Sequence, residues 1–139
     1  MALTETWLTD DLASTVNIEG YKFIHKARSS GIREGVGFLI RSDITFHRLD
    51  EMMNYNVKTF ESVFIKIPQI KSKDIIIGSI YRPPDTSIPD FLEDLDKILQ
   101  YLSNSKKKVI LMGDFNIDIL RHNEHQSTAM FLNMLASYR

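Results

Sequence analysis

Val109-Ile110-Leu111-Met112-Gly113-Asp114-Phe115-Asn116-Ile117-Asp118 is the stretch that decides the fold. Four apolar residues lead into a glycine, then into a carboxylate and an amide two positions apart. The run reads as a buried strand whose far end delivers polar side chains. Alternate side chains of a strand share a face, so Asp114 and Asn116 are expected to point the same way. An acid and an amide at a strand end can orient a water and bind an oxyanion. Taken alone, the stretch fits a plain strand followed by an Asx-rich turn at least as well.

Immediately upstream lies the clearest helix, predicted over Ile88 to Leu102. Phe91, Leu92, Leu95, Ile98, Leu99 and Leu102 fall on one stripe of a 3.6-residue period. Ser87 suits the N-cap and Pro89 the first turn. Asp90, Glu93 and Asp94 precede and Lys106 to Lys108 follow, which matches the helix dipole. The lysine run reads as a solvated turn. Before the helix, Ile75 to Tyr81 is apolar apart from Gly78 and Ser79, the pattern of a strand covered on both faces, and Arg82-Pro83-Pro84 must stop it. Phe60 to Ile67 alternates, with Val63, Ile65 and Ile67 on one face.

Further toward the N-terminus, Tyr21 to Ala27 alternates as a half-buried strand and Gly35 to Ile40 is a second, with a turn over Arg28 to Glu34; the pair reads as a hairpin. Ile44 to Leu49 reads as a short strand, Asp50 to Asn56 as a loop, Thr9 to Glu19 as a loop or helical turn, and Leu3 to Leu8 as the stub of a first strand. Downstream, Thr128 to Tyr138 reads as a second helix. Strands followed by a helix-strand crossover predict a mixed α/β sandwich.

Composition narrows the chemistry. The 139 residues are enough for one domain, and 43% hydrophobic and 25% charged residues suit a soluble globular chain. A net charge of -1 provides no global field to draw in nucleic acid. No cysteine is present, which excludes disulfides, zinc-thiolate sites and cysteine nucleophiles. Any metal must take oxygen or imidazole ligands, a donor set that favours hard ions such as Mg²⁺. No apolar run approaches the roughly 18 residues of a membrane span. The segment Met1-Ala2-Leu3-Thr4-Glu5 lacks the regions of a signal peptide, so an intracellular protein is expected.

Four segments in order, Leu3-Thr4-Glu5-Thr6-Trp7-Leu8, Gly35-Val36-Gly37-Phe38, Ile80-Tyr81-Arg82-Pro83-Pro84 and Gly113-Asp114-Phe115-Asn116, resemble the endonuclease/exonuclease/phosphatase superfamily. The closest resemblance is to the apurinic-endonuclease-like domain of non-LTR retrotransposon (LINE-type) polyproteins. It implies a single deoxyribonuclease I-like α/β (α+β) domain over 1–139. Its architecture would be part of a four-layer sandwich, with mostly antiparallel mixed sheets inside and helices outside. It also implies hydrolysis of DNA phosphodiesters with Mg²⁺, or Mn²⁺ in its place, and nuclear localisation for an active retrotransposon nuclease.

By the same resemblance Glu5 is the metal ligand, and Tyr81 donates its hydroxyl to a phosphate oxygen. Asp114 orients or deprotonates the attacking water, and Asn116 holds the phosphate or the water. Taken singly, Glu5 reads as an exposed loop acid and Tyr81 as a core tyrosine. Arg82 is expected in a structural ion pair, Asp118 in a turn, and Trp7 packed. His25, His47, His122 and His125 match no motif of the family; His122 and His125 read as loop residues.

The chain departs from the family pattern in three places. It lacks the initial strand with its metal-proximal asparagine. It lacks the C-terminal strands with the Ser-Asp-His motif. Ile32-Arg33-Glu34 replaces a glycine-rich turn. A site of cooperating groups loses much when members are removed, so the truncation predicts weak or no nuclease activity. It also predicts incomplete cover over the strands at Tyr21, Phe38, Ile65, Ile77 and Ile110. Two other functions fit the same motifs: a phosphomonoesterase of this superfamily, and a non-catalytic domain that binds nucleic acid or protein.

Overall fold

The first strand, β1 (Ala2–Leu3), is a two-residue stub. A short helix follows, α1 (Asp10–Thr15), opened by Thr9, whose side chain accepts the Leu12 N–H. Next come β2 (Tyr21–Lys26) and β3 (Val36–Arg41), antiparallel with Ile24 opposite Phe38, as the hairpin pattern predicts. β1 joins the other side of β3, completing a three-stranded sheet in the order β1-β3-β2. The computed structural model describes residues 1–26, 35–54, 59–121 and 123–138. The expected turn over Arg28 to Glu34, the Ile32-Arg33-Glu34 departure and His122 lie outside the described residues.

The second sheet holds β4 (His47–Arg48), β5 (Glu61–Ile67), β6 (Ile75–Tyr81) and β7 (Lys108–Asp114), in that order. β4 realises only two residues of the strand expected over Ile44 to Leu49, and Asp50–Asn54 is a 3-10 helix rather than a loop. β5 and β6 are antiparallel; β6 and β7 are parallel, which requires a crossover. That crossover is α2 (Ile88–Asn104), whose N-cap Ser87 accepts from the Asp90 N–H and whose predicted stripe is buried throughout. The chain then forms α3 (Gln126–Ser137). No described helix is long and apolar enough to cross a membrane.

The cores follow from strand alternation. Val63, Ile65 and Tyr81 project from one face of the second sheet and pack between the sheets against Ile24, Val36, Phe38 and Ile40. Phe64, Ile76 and Ile80 project from the other face and pack under α2 and α3 with Phe91, Leu95, Ile98 and Phe131. α1 lies against β2.

The strand expected to be buried, β7, is instead at the edge of its sheet among the described residues. Val109 and Leu111 pack toward the helices, whereas Ile110 is 46% exposed. The apolar run is explained by two faces that are each partly covered, the helix side more than the side of Ile110. Gly113 sits where β7 meets the β6 main chain: with φ +136, an added Cβ would lie 1.8 Å from the Ile80 carbonyl oxygen.

Candidate active site

Because β6 and β7 are parallel, both deliver their C-terminal residues to the same edge. Tyr81 closes β6 and faces Asp114, which closes β7. Glu61 opens β5 on the other flank of Tyr81. Directly paired residues share a face, so Glu61, Tyr81 and Asp114 form a row across the sheet. That face looks toward the other sheet, from which the chain leaving β1 brings Glu5. The Tyr81 hydroxyl donates to Glu5 Oε1 at 2.7 Å, and Ser79 Oγ donates to the Leu3 carbonyl at 3.3 Å. Residues 76 positions apart thus meet at one sheet edge.

The backbone here is strained. Glu5 has φ 50 and Trp7 φ 56, left-handed values unusual for such side chains. Each costs about 1–3 kcal/mol and persists only where its surroundings hold it. One restraint is the Thr6 N–H bond to the Gly35 carbonyl at 3.2 Å. The turn also leaves Trp7 56% exposed, against the expectation that it packs. Tyr81 is buried, while Glu5, Asp114 and Asn116 face solvent.

Asp114 and Asn116 are brought together, though not as strand neighbours on one face. β7 ends at Asp114, and Asn116 adopts φ 48 in the turn beyond. Asp114 Oδ1 accepts the Asn116 N–H at 2.9 Å, an Asx turn. Asn116 Nδ2 donates to the Arg82 carbonyl at 2.8 Å. Arg82 is buried, and among the described residues its guanidinium donates to main-chain carbonyls instead of the expected carboxylate partner. Burial lowers its pKa from the ordinary value, opposed by the charges of Asp114 and Asp85.

A polar group not foreseen from the motifs lies behind this edge. Gly35 N–H donates to Glu61 Oε2 at 2.6 Å, and Thr6 Oγ1 bonds His25 Nε2 at 2.7 Å. The Lys26 ammonium titrates below its ordinary range, first because of burial and then because of Arg48, with Glu61 opposing. Glu61 and His25 carry no local motif. Their only sequence signal is a polar residue at an alternating strand position. Asp118 takes its expected turn role, with Oδ1 accepting the Leu120 N–H at 3.1 Å. His47 lies in β4, and His125 is the N-cap residue of α3 without a side-chain capping bond.

No group of three or more His, Asp or Glu side chains suited to a metal occurs among the described residues. A closed protein cage is therefore not what these residues offer. The exposed Glu5 carboxylate, held by a phenol, does fit a hydrated Mg²⁺, which typically takes one or two carboxylates and completes its shell with water and substrate phosphate.

Comparison with known proteins identifies the family and the fold. The model of the Endonuclease/Exonuclease/phosphatase family matches residues 1–125. The endonuclease domain of TRAS1, a telomere-specific non-LTR retrotransposon, has a similar fold, with TM-score 0.64 and 17% sequence identity. The match covers 87% of this chain and 53% of that domain, so the chain spans about half the length of its structural relative. No curated protein matches at a significant level.

Proposed function

The chain belongs to the endonuclease/exonuclease/phosphatase family, and from that premise we propose that it is a Mg²⁺-dependent phosphodiesterase that nicks DNA, as a retrotransposon endonuclease. The observation that carries this reading is the meeting of Glu5, Tyr81 and Asp114 at one sheet edge, with the Tyr81 hydroxyl on Glu5 at 2.7 Å and Tyr81 paired with Asp114. Similarity to the TRAS1 domain favours DNA over a phosphomonoester.

In this reading Glu5 holds the metal, which when bound supplies positive charge to a phosphate oxygen. Tyr81 orients the Glu5 carboxylate through its hydroxyl, the group that by family resemblance also donates to a phosphate oxygen. Asp114, exposed at the end of β7, takes a proton from the attacking water. Asn116, fixed by its bond to the Arg82 carbonyl, directs its amide toward the phosphate or the water. No Ser-Asp-His stretch occurs in these 139 residues, so the reading rests on Glu5, Tyr81, Asp114 and Asn116.

Plasmid nicking by excess protein, in Mg²⁺ and in EDTA, tests the proposal against the Asp114→Ala variant. Conversion to the nicked circle, lost in EDTA and in the variant, is the expected result. Folded wild-type protein that nicks no faster than Asp114→Ala would end the catalytic reading; salt-sensitive retention of DNA without cleavage would point to a binding domain instead.

A further inference from the structure

Arg82 is among the largest side chains that the fold buries, at 2% exposure. A buried cation ordinarily recruits a carboxylate. Here, among the described residues, the guanidinium makes four hydrogen bonds, each to a main-chain carbonyl. Nε donates to Phe115 at 2.7 Å and Nη2 to Asn116 at 2.6 Å. Nη1 donates to Pro83 at 3.1 Å and to Thr86 at 2.5 Å. The Phe91 ring lies beneath, 5.8 Å from the guanidinium carbon.

These acceptors belong to two loops. Phe115 and Asn116 follow Asp114 directly; Pro83 and Thr86 lead from β6 into α2. The main chain closes the same clasp. Arg82 N–H donates to the Asp114 carbonyl at 2.9 Å, and the Arg82 carbonyl accepts from Asn116 Nδ2 at 2.8 Å. Residue 82 therefore contacts all three residues of the Asp114–Asn116 turn, whose last member has left-handed φ. Such a task selects arginine. Its donors form a rigid planar fork that can serve several carbonyls in fixed directions, whereas a lysine ammonium presents three donors from one point.

We infer that Arg82 is the positioning residue of this site: its buried guanidinium fixes the turn that carries Asp114 and Asn116, without itself touching substrate. The inference rests on the reading of those two residues as the working groups. It also accounts for an arginine directly after Tyr81, since that position lies beside β7 and under its outgoing loop.

Two measurements test it, one of them independent of activity. In the wild-type protein, the Arg82 Nε–H and the Asn116 main-chain N–H should exchange with solvent at least about tenfold more slowly than the Nε–H of exposed Arg121. Exchange as fast as that of Arg121 would overturn the inference even if no variant folds. Arg82→Lys should speed Asn116 exchange and lower kcat about 100-fold, with KM within about twofold, as for a displaced working group. Added guanidinium ion should recover part of the activity of Arg82→Ala. Leu102→Ala, a core change near the far end of α2, provides the control. It should lower the melting temperature while leaving kcat and the relative protection of Asn116 unchanged. Arg82→Lys that keeps both Asn116 protection and kcat would overturn the inference, as would equal losses in Leu102→Ala. If wild-type protein fails to nick DNA, the endonuclease reading falls, and exchange alone decides the role of Arg82.

Discussion

The Tyr81–Glu5 hydrogen bond joins the tyrosine, which the family resemblance assigns to a phosphate oxygen, to the carboxylate that the resemblance assigns to the metal. Motif resemblance selects both residues, yet nothing in residues 3–8 or 80–84 says that a phenol will meet a carboxylate 76 positions away. Only the docking of β1 over the β6 edge does that. The hydroxyl is committed to Glu5, while the ring fills the core between the sheets. Tyr81→Phe keeps the ring and removes the bond. It should cost about 1 kcal/mol of stability and lower Mg²⁺-dependent nicking about 10- to 100-fold. Glu5→Gln should instead raise the Mg²⁺ concentration for half-maximal rate, by about tenfold or more. A metal titration of the two variants beside wild type separates these outcomes; unchanged Mg²⁺ dependence in Glu5→Gln would remove Glu5 from the metal site.

Elements were legible in the sequence where one period dominates. α2 announces itself through its apolar stripe, and the structure buries that stripe at the expected positions. Leu95, fully buried beneath the second sheet, should cost about 2–5 kcal/mol when changed to alanine, measured by urea unfolding. β7 was harder to read. An unbroken apolar run does not say which neighbours cover its two faces, or how completely. Nor does alternation survive past the strand: the Asn116 left-handed turn takes Asp114 and Asn116 out of the period-two pattern and joins them by an Asx bond instead.

Gly113 marks that boundary. Its Cβ position is occupied by the β6 main chain, which has no side-chain rotamer with which to yield. Gly113→Ala should lose about 2–5 kcal/mol from the combined clash and left-handed strain, and should displace Asp114 next to it. A urea midpoint equal to that of wild type would show that the β6–β7 contact is looser than described.

At the scale of the whole molecule, the two sheets do not cover each other evenly. β1, the edge of the first sheet, is two residues long, whereas the facing β7 has seven. The inner face of β7 is therefore partly open, and Ile110 lies on it, 46% exposed. β7 is also an edge strand among the described residues, pairing through β6 alone. An apolar side chain on an unpaired edge invites strand pairing between copies. The site is at the opposite end of β7 from Lys108, and Ile110 lies between them without contact in the hydrogen-bonded cluster. A charge at this position should therefore suppress association while leaving the fold and the catalytic edge intact. Ile110→Lys should keep stability within about 0.5 kcal/mol of wild type, the range for exposed positions. In sedimentation velocity at rising protein concentration, wild type should shift toward larger species while Ile110→Lys stays monomeric. A stability loss as large as that of Leu95→Ala would mean that the face over Ile110 is closed. Equal association of both proteins would place the sticky surface elsewhere, leaving the apolar surface on the outer side of β2, around Leu8, Ile18 and Phe23, as the next region to charge.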